Sequence, residues 1–134
     1  MAPEIKARMP YQPQVVDLYA LGIVIFVLYL GKMPFNKATP SDYLFDCFIK
    51  RDMINFWKIH EEHVANPSKS IPDDFKDLIS NMLAYQPYMR LSIADILSHP
   101  FFNGRPVAST EEVRRVMTKR EKLMKGRESK NRNQ

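Results

Sequence analysis

Between Asp17 and Gly31 lie thirteen residues, LYALGIVIFVLYL, with no charged side chain among them. Ala20 and Gly22 apart, every position is large and apolar. A helix formed here has no polar face and is expected to be buried on every side. At ~1.5 Å per residue it is roughly 20 Å long, short of the ~30 Å core of a bilayer. With Asp17 at its mouth and Gly31 closing it, the run reads as a core helix and not as a membrane span. A chain of 134 residues is one domain's worth or less, so whatever else folds has to wrap this rod.

The flanking sequence is punctuated as helices. Thr39-Pro40-Ser41-Asp42 has the capping-box pattern, with Pro40 suited to the first helical position. The helix it predicts, Pro40 to Lys50, carries Leu44, Phe45, Phe48 and Ile49 as one stripe. Ser70-Ile71-Pro72-Asp73 repeats the signal ahead of Phe75, Leu78, Ile79, Met82 and Leu83, spaced for one helical face. Ser92-Ile93-Ala94-Asp95 gives it once more, with Ile93, Ile96 and Leu97 expected inward before His99-Pro100 stops the helix. Residues 53–69, around Trp57, read as short helix and loop. No segment alternates convincingly as a strand, so the fold class is all-α.

Charge divides the chain in two. Residues 1–104 carry ten Lys/Arg against eleven Asp/Glu, while residues 105–134 carry ten against four, a net +6. The basic tail, 105–134, has its own cap in Ser109-Thr110-Glu111-Glu112. Val113, Val116, Met117, Leu123 and Met124 form a thin apolar seam after it. Gly126 is expected to end this helix and Arg127–Gln134 to be disordered. Three uses of such a tail are open: a solvated helix, a segment for a calmodulin-like or autoregulatory partner, or nucleic-acid contact. The last is not expected, since no aromatic follows Phe102 to stack on bases. One cysteine, Cys47, rules out an internal disulfide framework and points to a reducing, cytoplasmic setting. Residues 1–14 hold Glu4, Lys6, Arg8 and three prolines and no apolar signal-type stretch.

Taken in order, Ala2-Pro3-Glu4, Asp17-Leu18-Tyr19-Ala20-Leu21-Gly22, Gly31-Lys32-Met33-Pro34-Phe35, a lone Arg90 and His99-Pro100-Phe101-Phe102 resemble the C-terminal lobe of a eukaryotic serine/threonine protein kinase. The likeness is greatest to the calcium/calmodulin-dependent-kinase-like group, where a pair such as Phe56-Trp57 is common. It covers residues 1–104 and implies a partial, helical C-lobe from Ala-Pro-Glu onward, without an N-lobe. Ala2, Pro3 and Glu4 match the end of the activation segment, and Met1 then reads as an internal methionine of a longer kinase. Glu4 and Arg90 match a buried ion pair, for which the planar guanidinium suits a carboxylate. Asp17 matches the residue that anchors the backbone of the catalytic loop. The family usually has Trp at the position of Tyr19. The region of Leu44, Phe45 and Phe48 matches a surface used for docking substrates and regulators.

The motifs of phosphoryl transfer are not in this stretch. Gly22, Gly31, Gly104 and Gly126 make no G-x-G. Arg51-Asp52 has no preceding His, and Asn55 stands three positions on, closer than the catalytic loop of the family places it. Asp74-Phe75 is followed by Lys76 and not Gly. The resemblance therefore implies ATP and magnesium for the full-length parent, none of it held here. The implied partners are the remainder of the kinase domain and the parent's protein substrates, with no membrane. A non-catalytic interaction module is the rival reading. His60 and His63 lie three apart, not at the four-residue spacing of zinc protease helices; a solvated turn is expected there and no metal site. Cys47 is expected to be an inert, buried or half-buried thiol.

Overall fold

The computed structural model describes residues 1–62, 70–103 and 107–131, with side chains as far as Lys125. Among them there is no strand. The helices are α1 (Pro3–Lys6), α2 (Pro13–Leu30), α3 (Tyr43–Lys50), α4 (Met53–Glu62), α5 (Asp73–Met82), α6 (Ile93–Leu97) and α7 (Thr110–Asn131), with a 3-10 turn at Pro87–Met89 before α6. The chain divides into two units, Met1–Asn103 and Gly104–Gln134.

α2 is longer than the apolar run that announces it. It starts on Pro13, whose missing N–H is no loss at a helix start. It ends where Gly31, at φ +71°, turns left-handed and donates its N–H to the Val27 carbonyl at 2.8 Å. Asp17 therefore lies one turn inside the helix, exposed, and is neither its mouth nor its cap. At 18 residues α2 is long and apolar enough, by length and composition, to cross a membrane, so length does not separate the two readings. Packing does. Tyr19, Gly22 and Phe26 form its buried side, and Gly22 lies so close to α5 that a Cβ there would stand 2.9 Å from Leu83 Cδ2 and 3.1 Å from Met82 Cβ. Burial on every side is not what the chain shows. Leu21, Val24 and Leu28 are 43, 51 and 79 % exposed, because α5 and the aromatic cluster cover the other side; Tyr29 stacks on Phe75 of α5 at 4.1 Å.

That cluster is the centre of the first unit. Phe26 meets Phe56 and Trp57 of α4, Phe56 meets Phe48 of α3 at 4.7 Å, and Phe35 meets Phe45 at 5.1 Å. The Trp57 indole N–H donates to Ser80 Oγ at 3.0 Å, tying α4 to α5. His60 is also inside, its ring 4.6 Å from that of Phe56 and its Nε2 3.0 Å from the Pro34 carbonyl. The solvated turn expected at His60 is thus corrected to a core position, since the apolar face of α4 turns it inward with Phe56 and Trp57. His63 lies outside the described residues.

The helix starts differ from the capping patterns in two places. Asp42, not Thr39, caps α3: its carboxylate accepts from Phe45 N, and also from Asn36 N and Lys37 N at 3.0 Å each. The helix begins at Tyr43, and Thr39 bonds Ser41 instead. α5 begins at Asp73 behind Pro72, with no side-chain cap from Ser70. The capping box of α6 forms, with Ser92 N to Asp95 at 2.9 Å and Asp95 N to Ser92 at 3.2 Å. Of its apolar residues only Ile96 turns inward; Ile93 and Leu97 are exposed, since a five-residue helix presents one narrow face. His99 then bridges back to α5, with Nε2 3.0 Å from Asp77 and Nδ1 accepting from Phe101 N.

In the second unit Ser109 and Glu112 form another capping box. α7 continues through Gly126 to Asn131, which corrects the expected stop at Gly126; residues 132–134 lie outside the described residues. Its seam, Val113, Val116, Met117, Leu123 and Met124, is about half exposed.

Candidate functional site

The site begins with two charges 86 positions apart in the chain. Pro3 opens α1, a helix just long enough to turn Glu4 inward. At the other end of the unit the 3-10 turn Pro87–Met89 delivers Arg90 in extended conformation. The two meet as a fork on a fork, Nη1 to Oε1 at 2.6 Å and Nη2 to Oε2 at 2.8 Å. Their side chains are 4 and 1 % exposed. Taking two charges out of water is costly, and such a pair is tolerated only where its other hydrogen-bonding groups are satisfied. Here Arg90 Nε donates to the Ala84 carbonyl at 2.9 Å, with longer contacts to the carbonyls of Tyr85 and Val15. Burial pushes the Glu4 carboxyl up, but the Arg90 hydrogen bonds and charge outweigh it and hold it below its ordinary value.

Tyr19 completes the arrangement. The guanidinium carbon of Arg90 stands 4.6 Å over its ring, an attraction between a cation and a π face. The phenol is buried, which pushes its pKa up, and its hydroxyl has no hydrogen-bond partner among the described residues. A reading of the sequence passes over this residue as an altered Trp. Its partner Arg90 is remote in sequence, and no local signal joins the two.

Beside the pair lies an open cleft of about 510 Å³, walled by Met1, Ile5, Tyr11, Val16, Asp17 and Tyr19. Asp17 lines it from α2, two residues before Tyr19. Ala2 also lines it, and both Ala2 and Pro3 are buried. The structure thus brings Ala2, Pro3, Glu4, Asp17 and Arg90 to one end of the unit, and sets Leu44, Phe45 and Phe48 elsewhere. Phe45 and Phe48 are 2 and 4 % exposed, packed on Phe35 and Phe56. They are core rings, and the docking surface expected of them is corrected accordingly; only Leu44 is partly open.

The remaining candidates have structural work. Asp52 accepts from Asn55 N and Nδ2 at the start of α4, and Asp74 accepts from Phe75 N at the start of α5. No group of three His, Cys, Asp or Glu stands together among the described residues. Cys47 is buried; burial and the nearby Asp52 and Asp46 charges push its thiol up, away from the thiolate a nucleophile needs.

The family model for the protein kinase domain matches residues 1–102. Among similar proteins, mouse (Mus musculus) Aurora kinase C is 35 % identical over 101 residues, covering 75 % of this chain and 32 % of that protein. Human (Homo sapiens) testis-specific serine/threonine-protein kinase 1 is 36 % identical over 100 residues, 73 % of this chain and 24 % of that protein. The SNF1-related protein kinase catalytic subunit alpha KIN12 of Arabidopsis thaliana is 35 % identical over 103 residues, 77 % of this chain and 18 % of that protein. The chain spans about a third or less of the length of these relatives. With an all-helical fold and a match that runs through Glu4, Asp17 and Arg90, the chain belongs to the protein kinase domain family.

Proposed function

We propose that the chain is the C-terminal-lobe portion of an ATP-dependent serine/threonine protein kinase of the calcium/calmodulin-dependent-kinase-like group, acting in the cytoplasm. In this reading it supplies scaffold and no chemistry. Glu4 and Arg90 clamp the end of the activation segment to the helical lobe, and Asp17 anchors a catalytic loop carried elsewhere in the parent. ATP and magnesium belong to that other part, and protein Ser/Thr hydroxyls are the substrate.

The observation that carries this is the end of the lobe itself. A doubly bonded, buried ion pair lies beside an open cleft that exposes Asp17 and leaves a buried phenol without a partner. Those are the marks of a surface built to receive a further segment of polypeptide. The relatives lend no support to a calmodulin-like partner for α7.

The test is the nucleotide sequence upstream of the Met1 codon, together with an assay of the purified chain. In-frame codons for His-Arg-Asp and Asp-Phe-Gly are expected, and no transfer of phosphate from ATP to any peptide by the chain alone. In-frame stop codons directly upstream, or phosphorylation by the pure 134-residue protein, would overturn the reading.

A further inference from the structure

In α7 the run Arg114-Arg115-Val116-Met117-Thr118-Lys119-Arg120 sets one hydroxyl among cations. Residues three and four apart are neighbours on a helix surface, so Arg114, Arg115 and Lys122 flank Thr118 from the turns before and after it. These four residues, with Glu111 and Lys119, line an open hollow of about 530 Å³. Lys125 is paired with Glu121, but Arg114, Arg115, Lys119 and Lys122 have no carboxylate partner among the described residues.

Most of the described Ser and Thr hydroxyls are already in use. Ser80 accepts from Trp57, Ser92 and Ser109 cap helices, Ser98 donates to the Ala94 carbonyl and Thr39 bonds Ser41. Thr118 is exposed, and its hydroxyl bonds no described residue. Thr110 is exposed too, but Val107 stands three positions before it, where Thr118 has Arg115. No side chain of α7 is buried as far as Lys125, so the stretch around Thr118 opens from the helix at little cost. Once extended, at ~3.3 Å per residue, Arg115 and Arg114 stand roughly 10–13 Å before the hydroxyl. Acidic side chains outside an enzyme's reaction centre can then hold the guanidiniums while the hydroxyl enters it.

We propose that Thr118 is a phosphorylation site, modified by a serine/threonine kinase that selects arginine three and four positions before the acceptor. Thr118 Oγ1 attacks the γ-phosphorus of an ATP that this kinase holds with magnesium. The Oγ1–P bond forms, the bond from the γ-phosphorus to its bridging oxygen breaks, and ADP leaves with that electron pair. The hydroxyl proton passes to a carboxylate of the same kinase. The product carries about 1.5–2 negative charges at pH 7, so the tail's net +6 falls to roughly +4. When the helix closes again the phosphate lies between Arg114, Arg115 and Lys122, which supply charge-assisted hydrogen bonds.

The full chain is incubated with magnesium-ATP and a kinase of that selectivity, the catalytic fragment of protein kinase C. Sites and rates are read by fragmentation mass spectrometry. Phosphate is expected on Thr118 and not on Thr110. Changing Arg114 and Arg115 together to Gln is expected to lower kcat/KM for Thr118 about tenfold or more, and changing both to Lys is expected to retain more of it. The substituted positions are exposed, so the variants are expected to melt with the parent chain. No phosphate on Thr118, equal modification of Thr110, or an unchanged rate in the double Gln variant would each overturn the proposal.

Discussion

Arg90 ties three separate parts of the first unit together. It contacts Glu4 in α1, the Val15 carbonyl and Tyr19 ring in α2, and the carbonyls that follow α5. Arg90→Ala strands the buried Glu4 carboxylate and is expected to cost about 3–5 kcal/mol in a thermal or urea melt. An unchanged melt would show that the pair does not hold the fold. Arg90→Lys keeps the charge but loses the fork and the stacking plane, so it recovers only part of the loss. The pair also sets a pH dependence. Glu4 titrates below its ordinary 4.5 in the folded chain, so its contribution is fully present above that value and is lost as pH falls through the lowered one. The gap in stability between the parent chain and Arg90→Ala is therefore expected to narrow below about pH 4.5. A gap that stays constant on acidification would place the loss somewhere other than the Glu4 charge.

Elements were legible to the extent that their signals are local. The face of α5, Phe75, Leu78, Ile79, Met82, needs only helical spacing, and the Ser92–Asp95 box needs only four residues. Where the outcome depends on a competitor the local pattern misleads. Asp42 could serve as the third residue of a helix capped by Thr39, or cap the helix itself; the second choice also satisfies Asn36 N and Lys37 N, and it wins. Gly126 could stop α7, but one glycine costs only ~1 kcal/mol against a run of good helix formers on both sides. His60 and Tyr19 were illegible because their partners, Pro34 and Arg90, are remote in sequence. The same holds for Gly22, whose closeness to Met82 and Leu83 is a tertiary fact. Gly22→Ala gains helix propensity of ~1 kcal/mol but forces a methyl against two buried side chains, an overpacking of roughly 1–3 kcal/mol. The expected result is a net loss of about 1 kcal/mol in a urea melt, where an exposed glycine in the same helix would show a gain. A stabilised Gly22→Ala variant would mean that α2 and α5 can separate without cost.

At the scale of the molecule the decisive property is that α2 is covered on one side only. Its sequence reads as a rod to be enclosed, and the described residues of the first unit enclose Tyr19, Gly22 and Phe26 while Leu21, Val24 and Leu28 reach water. Full burial of such side chains stabilises by ~1.5–3 kcal/mol each. Leaving three of them partly open withholds on the order of 3–5 kcal/mol, close to the low end of a domain's whole stability of roughly 5–15 kcal/mol. The same stripe is a hydrophobic surface for self-association. These two effects separate experimentally. Replacing Leu21, Val24 and Leu28 together by Lys, Gln and Glu removes the patch without touching the buried side. The isolated chain is then expected to scatter less light at a given concentration while its Tm shifts by only a few degrees, because surface changes away from packed contacts alter stability little. In a parent kinase carrying the covering segments, the same triple change is expected to do the opposite, lowering Tm and activity, since the polar groups would then be buried without partners. A triple variant that unfolds the isolated chain as severely as a core substitution would show that this side of α2 is already enclosed, and that the chain needs nothing more to complete it.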